Sequence, residues 1–123
     1  MSKVLVIDDD AVVRSTLEAV LVDAGYEVTL AKDGVVGCTA FHREQPDVVV
    51  TDIMMPEQDG IGAIRQIISE SPDTKIIAIS GGARLSNVDF LQLARKLGAR
   101  GVLPKPFDPD CLLTMISDCL LAA

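Results

Sequence analysis

Short apolar runs recur along this chain, and each is followed by apolar residues at helical spacing. Lys3-Val4-Leu5-Val6-Ile7 reads as a first buried strand, closed by Asp8-Asp9-Asp10. Val13, Leu17, Leu21 and Ala24 then follow with a period near 3.6, and Gly25 is the stop. Tyr26 to Ala31 alternates with period two, which suits a half-exposed strand at a sheet edge. Gly34 to Glu44 reads as a second helix with Val36, Ala40 and Phe41 inward, although Gly37 inside it costs up to about 1 kcal/mol. Asp47-Val48-Val49-Val50-Thr51-Asp52 is an almost wholly apolar, β-branched run that ends in a carboxylate, the signature of a strand buried on both faces.

The second half repeats the pattern. Ile61, Ile64, Ile67 and Ile68 mark a third helix that ends near Ser71-Pro72. Lys75 to Ile79 is a fourth strand, ended by Ser80-Gly81-Gly82. Phe90, Leu93, Ala94 and Leu97 mark a fourth helix that stops at Gly98, with Ser86 and Asp89 as its capping pair. Arg100 to Leu103 is a short last strand, closed by Pro104-Lys105-Pro106, and Leu112, Met115, Ile116, Cys119 and Leu120 give a closing helix. Five strand-then-helix units predict an α/β domain: a doubly wound parallel sheet with helices on both faces. A proline in the last strand favours one edge and the alternating second strand the other. The order 2-1-3-4-5 satisfies both.

Length and composition narrow the picture. At 123 residues the chain is the size of one domain, expected to span 1–123, and 49% hydrophobic residues suffice for one core. Aromatic residues are scarce, so that core must be aliphatic. A formal net charge of −7 argues against unaided binding to nucleic acid or anionic lipid. No apolar run approaches the roughly 20 residues of a membrane span, and the start is no signal peptide. Cys38, Cys111 and Cys119 form no CxxC pair and read as reduced, buried thiols of a cytoplasmic protein. Cys111 and Cys119, eight apart on one helix, lie roughly 12 Å apart along the axis, beyond disulfide reach. His42, the one histidine, reads as an exposed residue at a helix end.

The polar residues at the strand ends carry the chemistry. Strand one delivers Asp8 and Asp9, strand three Asp52, strand four Ser80 and strand five Lys105. In the order above, strands one and three are neighbours at the topological switch point, where ligands of open α/β sheets bind. Three converging carboxylates cannot all stay ionised unaided, and a hard divalent cation such as Mg2+ resolves this. An aspartate beside such an ion can act as nucleophile toward phosphorus. A lysine ammonium and a small hydroxyl can then balance the phosphoryl oxygens. Singly, an aspartate after a strand is usually a helix cap, as Asp10 is expected to be, and a lone lysine or serine is usually solvated. Their coincidence at one rim favours a site.

Leu5-Val6-Ile7-Asp8-Asp9-Asp10, Val49 to Pro56 with Asp59-Gly60, Ile79-Ser80-Gly81 and Lys105-Pro106-Phe107 together resemble the receiver domain of bacterial two-component response regulators. The resemblance covers essentially the whole chain. It implies a flavodoxin-like (βα)5 fold, the order for which the chemotaxis regulator of this family is the standard illustration. It implies Asp52 as phosphoacceptor, Asp9 as a direct Mg2+ ligand, Asp8 acting through water, and the Met54 carbonyl on the metal. Ser80 would be the switch hydroxyl and Lys105 the phosphate-contacting amine, followed by a cis bond to Pro106. A histidine kinase or phosphotransfer protein would supply the phosphoryl group. A switched face of helix four, strand five and helix five would then bind a downstream protein or support a weak homodimer. The protein would be a phosphoacceptor switch, with no catalysis beyond its own phosphotransfer and slow dephosphorylation.

Val102 stands where the family often has an aromatic switch residue, and Pro104 removes a backbone donor before Lys105. Met54 and Gly82 offer no polar side chain to orient a water, so slow loss of the phosphoryl group is expected. Two alternatives use the same residues. In a haloacid-dehalogenase-type phosphatase Asp8 would be the nucleophile of an Asp-x-Asp-x-Thr/Val pattern, but no cap insertion is visible. A docking module would accept no phosphate at all.

Overall fold

Alternating side chains along the strands sort the core into two layers, one on each face of a five-stranded sheet. The computed structural model describes residues 2–53, 60–80, 92, 95–104 and 107–121. Its strands are β1 (Lys3–Ile7), β2 (Glu27–Ala31), β3 (Val48–Asp52), β4 (Lys75–Ser80) and β5 (Gly101–Pro104). They pair in parallel in the order β2-β1-β3-β4-β5, the order expected from the edge arguments. β3 is buried along its whole length, whereas β2 is only partly covered. The short last strand includes Pro104, one residue beyond the expected end, and an edge strand tolerates the missing N–H.

Helices α1 (Ala11–Asp23), α2 (Gly34–Glu44) and α3 (Gly60–Glu70) follow the first three strands, and a closing helix spans Pro109–Leu121. Leu5, Ile7, Val49, Ile53, Ile76 and Ala78 face the layer made by α2 and α3, with Phe41, Ala63, Ile64 and Ile67. Val4, Val6, Val48, Val50, Ile77 and Ile79 face α1 and the closing helix, with Leu17, Leu21, Leu112 and Ile116. Each fully buried aliphatic side chain is worth about 1.5–3 kcal/mol relative to exposure.

Local chemistry sets the helix ends. Asp10 caps α1, its carboxylate accepting from the amides of Val12 (2.8 Å) and Val13 (3.4 Å). Ala24, the last apolar residue of the helical spacing, is the exposed C-cap, and Gly25, the expected stop, turns the chain away at φ +98°. Asp33 caps α2, which ends at Gln45 in the left-handed region, just before Pro46.

The inner face of α2 needs correction. Val36 is 38% exposed, and Gly37, Cys38, Ala40 and Phe41 turn inward. A Cβ on Gly37 would fall 2.5 Å from Cδ1 and 2.8 Å from Cγ1 of Ile7, so only glycine lets α2 lie this close to β1. The cysteine expectation is corrected as well. Cys38 and Cys119 are buried, but Cys111 faces solvent on the outer side of the closing helix, since Leu112 takes the core position. Of the expected fourth helix, Gln92 and Arg95–Leu97 are helical and Gly98 follows at φ +122°. Its capping pair Ser86 and Asp89, and Phe90, Leu93 and Ala94, lie outside the described residues.

Candidate functional site

β1 and β3 are hydrogen-bonded neighbours, with Ile7 in register with Thr51. Their carboxyl ends therefore emerge side by side, and Asp8 follows the one while Asp52 is the last residue of the other. Asp8 is 1% and Asp52 5% exposed, whereas Asp9 is open to solvent. One carboxylate oxygen from each of Asp8, Asp9 and Asp52 lies within 4.8 Å of the other two. At that separation two ionised carboxylates repel by at least about 3 kcal/mol at an effective dielectric near 20. A nearby cation relieves that repulsion. The all-oxygen donor set, two acids buried and one facing water, fits a hard divalent ion that keeps part of its hydration shell.

The surrounding backbone holds these acids in place. The Asp8 amide donates to the Ala31 carbonyl at the end of β2 (3.1 Å), and the Asp8 carboxylate accepts from the Asp10 amide (2.9 Å). The Arg14 guanidinium donates to the Asp8 carbonyl (2.8 Å). Behind Asp52, the buried Thr51 hydroxyl donates to the Asp52 carbonyl (3.1 Å), and the Ile53 amide donates to the Ile79 carbonyl (2.9 Å). Sequence reasoning passed over Arg14. Its signal is a lone cation in the first turn of a helix that begins at an acid cluster.

β4 and β5 bring the remaining expected residues only partly into view. Asp52 is in register with Ile79, so Ser80 stands one step further along the same rim, opposite Pro104. Met54, the Ser80 side chain, Lys105 and the Lys105–Pro106 bond lie outside what the structure describes. His42 is exposed as expected, and its Nε2 lies 3.1 Å from Glu70 Oε2, tying the end of α2 to the end of α3.

The family model for the response regulator receiver domain matches residues 4–117. The chain belongs to the response regulator receiver domain family. It is 41% identical over 118 residues to a probable transcriptional regulator, ycf27, of Porphyridium aerugineum, covering 96% of this chain and 48% of that one. It is 36% identical over 118 residues to the response regulator MprA of Mycobacterium leprae, covering 93% of this chain and 49% of that protein. The chain thus spans about half the length of the curated relatives it matches. Among solved structures, a receiver domain protein from Clostridium thermocellum superposes with a TM-score of 0.91 at 30% identity, over 98% of this chain and 94% of that one. The receiver domain of NtrX from Brucella abortus superposes at 0.90 with 27% identity, over 98% and 99%. The receiver domain is thus a response-regulator module, and its five-stranded fold is the one its neighbours share. Its pocket of Asp8, Asp9 and Asp52 could bind a metal, and among the described residues no helix is long and apolar enough to cross a membrane.

Proposed function

We propose that residues 1–123 act as a phosphorylation switch in which Asp52 accepts a phosphoryl group from a phosphohistidine on a partner kinase or phosphotransfer protein. The observation that carries this reading is the convergence of Asp8, Asp9 and Asp52 at the end of the central strand. An Asp52 carboxylate oxygen attacks phosphorus. The new P–O bond forms as the P–N bond breaks, and the histidine nitrogen leaves with the electron pair. Asp8, Asp9, Asp52 and the Met54 carbonyl would hold Mg2+. Bound there, it would offset carboxylate repulsion and supply positive charge for the phosphoryl oxygens. Lys105 supplies a further positive charge to the phosphoryl group, and the Ser80 hydroxyl donates to one of its oxygens. Water attack on the acyl phosphate is slow, because neither Met54 nor Gly82 carries a group to orient it. A half-life of seconds would contradict this.

The modification adds roughly −1.5 to −2 charge at the rim. Ser80 and Lys105 move toward it, and the chain after Ser80 follows, so the face that includes β5 and the closing helix changes its affinity for a downstream protein or for a second copy. Val102 on β5 rules out readout by an aromatic ring at that position. The relatives named as transcriptional regulators suggest an output on gene expression. With net charge −7 this domain reaches it through protein contacts and not by gripping DNA itself. The switch works in the cytoplasm and turns over no separate substrate. The test is phosphotransfer from purified histidine kinases. Label should pass to the wild type and not to Asp52→Ala, while loss of transfer in Asp8→Asn with Asp52→Ala still active would contradict the assignment.

A further inference from the structure

Arg14 is the sole cation of α1, and it reaches back six residues to the loop that carries the acid pair. Its own amide donates to the Asp10 carbonyl (3.0 Å), so its stem starts from the turn that Asp10 caps. Its part-buried Nη1 donates to the Asp8 carbonyl at 2.8 Å. Asp8 is thereby tied through its amide, its carboxylate and its carbonyl. Its amide is tied to β2 through Ala31, its carboxylate to the Asp10 amide, and its carbonyl to Arg14. The first tie is backbone to backbone, and the second pairs Asp8's own carboxylate with a backbone amide. The third depends on one side chain.

We propose that Arg14 is a positioning residue for the acid pocket: by gripping the Asp8 carbonyl it fixes the peptide from which the Asp8 carboxylate projects, and so sets affinity for the divalent cation. This rests on the reading of Asp8, Asp9 and Asp52 as a cation site. Groups that orient ligands from behind are ordinary determinants of metal affinity. The sign of the effect separates positioning from charge. By charge alone, a guanidinium beside an acid cluster weakens binding of a second cation, and its removal tightens binding. If Arg14 acts through the Asp8 peptide, its removal loosens binding instead.

The test measures Mg2+ affinity by calorimetry on the unphosphorylated protein, with urea unfolding in parallel. Arg14→Met keeps the apolar stem and deletes the donor; it should weaken Mg2+ binding about tenfold. Arg14→Lys, which keeps a charged donor of similar reach, should recover most of that loss. Ile116→Val in the closing-helix core should lower stability and leave Mg2+ binding unchanged, which separates positioning from general loosening. If Arg14→Met does not fold, Arg14→Gln, whose amide is too short for the carbonyl, should show the same weakening. Unchanged or tighter Mg2+ binding in the folded donor-deleted variant overturns the proposal. Wild-type protein that takes up no Mg2+ overturns the cation-site reading itself, and is told apart because the wild type and not the variant fails.

Discussion

The two faces of the sheet meet their helices through glycines placed on opposite partners. On the α2 and α3 face the glycine is on the helix: Gly37 lies against Ile7, a β-branched residue locked in the central part of the sheet. On the face of α1 and the closing helix it is on the edge strand: a Cβ on Gly101 would fall 2.4 Å from Met115 Sδ and 2.9 Å from its Cγ. Methionine is unbranched and adapts, whereas a buried isoleucine has few alternative rotamers. Ile7 also directly precedes Asp8, so the tight contact on the first face sits one residue from the acid pocket. A side chain added on the α2 face would press on branched Ile7 beside the acid pocket, whereas one added on the edge strand would press on a methionine that can adapt.

Ile64→Ala and Ile116→Ala each remove a fully buried side chain from one face and should cost about 2–5 kcal/mol in urea unfolding. Gly37→Ala should be net destabilising by roughly 1–3 kcal/mol from overpacking, despite the helix propensity gained. It should also weaken Mg2+ binding through Ile7 and Asp8. Gly101→Ala should cost less than Gly37→Ala in the same measurement, because Met115 can move aside; a larger cost would reverse the comparison. His42→Ala removes an exposed pair with Glu70 and should change stability by less than about 1 kcal/mol.

One buried thiol packs on each face of the sheet, Cys38 with α2 and Cys119 with the closing helix. Burial raises the Cys38 thiol above its ordinary range, with the Glu70 carboxylate adding to the shift. Burial also raises Cys119, against Arg100 and Lys75, which lower it, while Asp118 raises it. Both favour the neutral form when folded, so their contribution is intact below the unfolded thiol value and is lost as pH rises through the folded one. Stability should therefore fall on the alkaline side of the ordinary thiol range, and less steeply in Cys38→Ala. A thiol reagent at neutral pH should modify exposed Cys111 first and reach Cys38 and Cys119 only on unfolding.

Much of this was legible in the residues. The apolar run before Asp52 marks a buried strand, and the alternation in β2 and Pro104 in β5 mark the edges; periodicity leaves the inner order open, and the observed order agrees with those edges. What stayed hidden was contact between residues distant in sequence. Gly37 looked like a weakness of α2 because its partner, Ile7, lies thirty positions away, and helix propensity knows nothing of it. Val36 looked inward because apolar spacing cannot tell which side of a glycine-bearing helix is pressed on the sheet. In the acid pocket, the residue types pointed to Asp8, Asp9 and Asp52. Periodicity could not tell that Asp8 is buried and Asp9 open, since that follows from the turn into α1 and its Asp10 cap. Arg14 escaped because its backbone belongs to a helix while its guanidinium serves the loop before it.

Intact-mass measurement after incubation with acetyl phosphate, with and without Mg2+, decides whether Asp52 accepts a phosphoryl group. The wild type should gain one phosphoryl group only when Mg2+ is present, and Asp52→Asn should gain none under the same conditions. A wild type that gains no mass, or an Asp52→Asn protein that gains as much as the wild type, would contradict the claim that the carboxylates at the ends of β1 and β3 form one cation-dependent phosphoacceptor site.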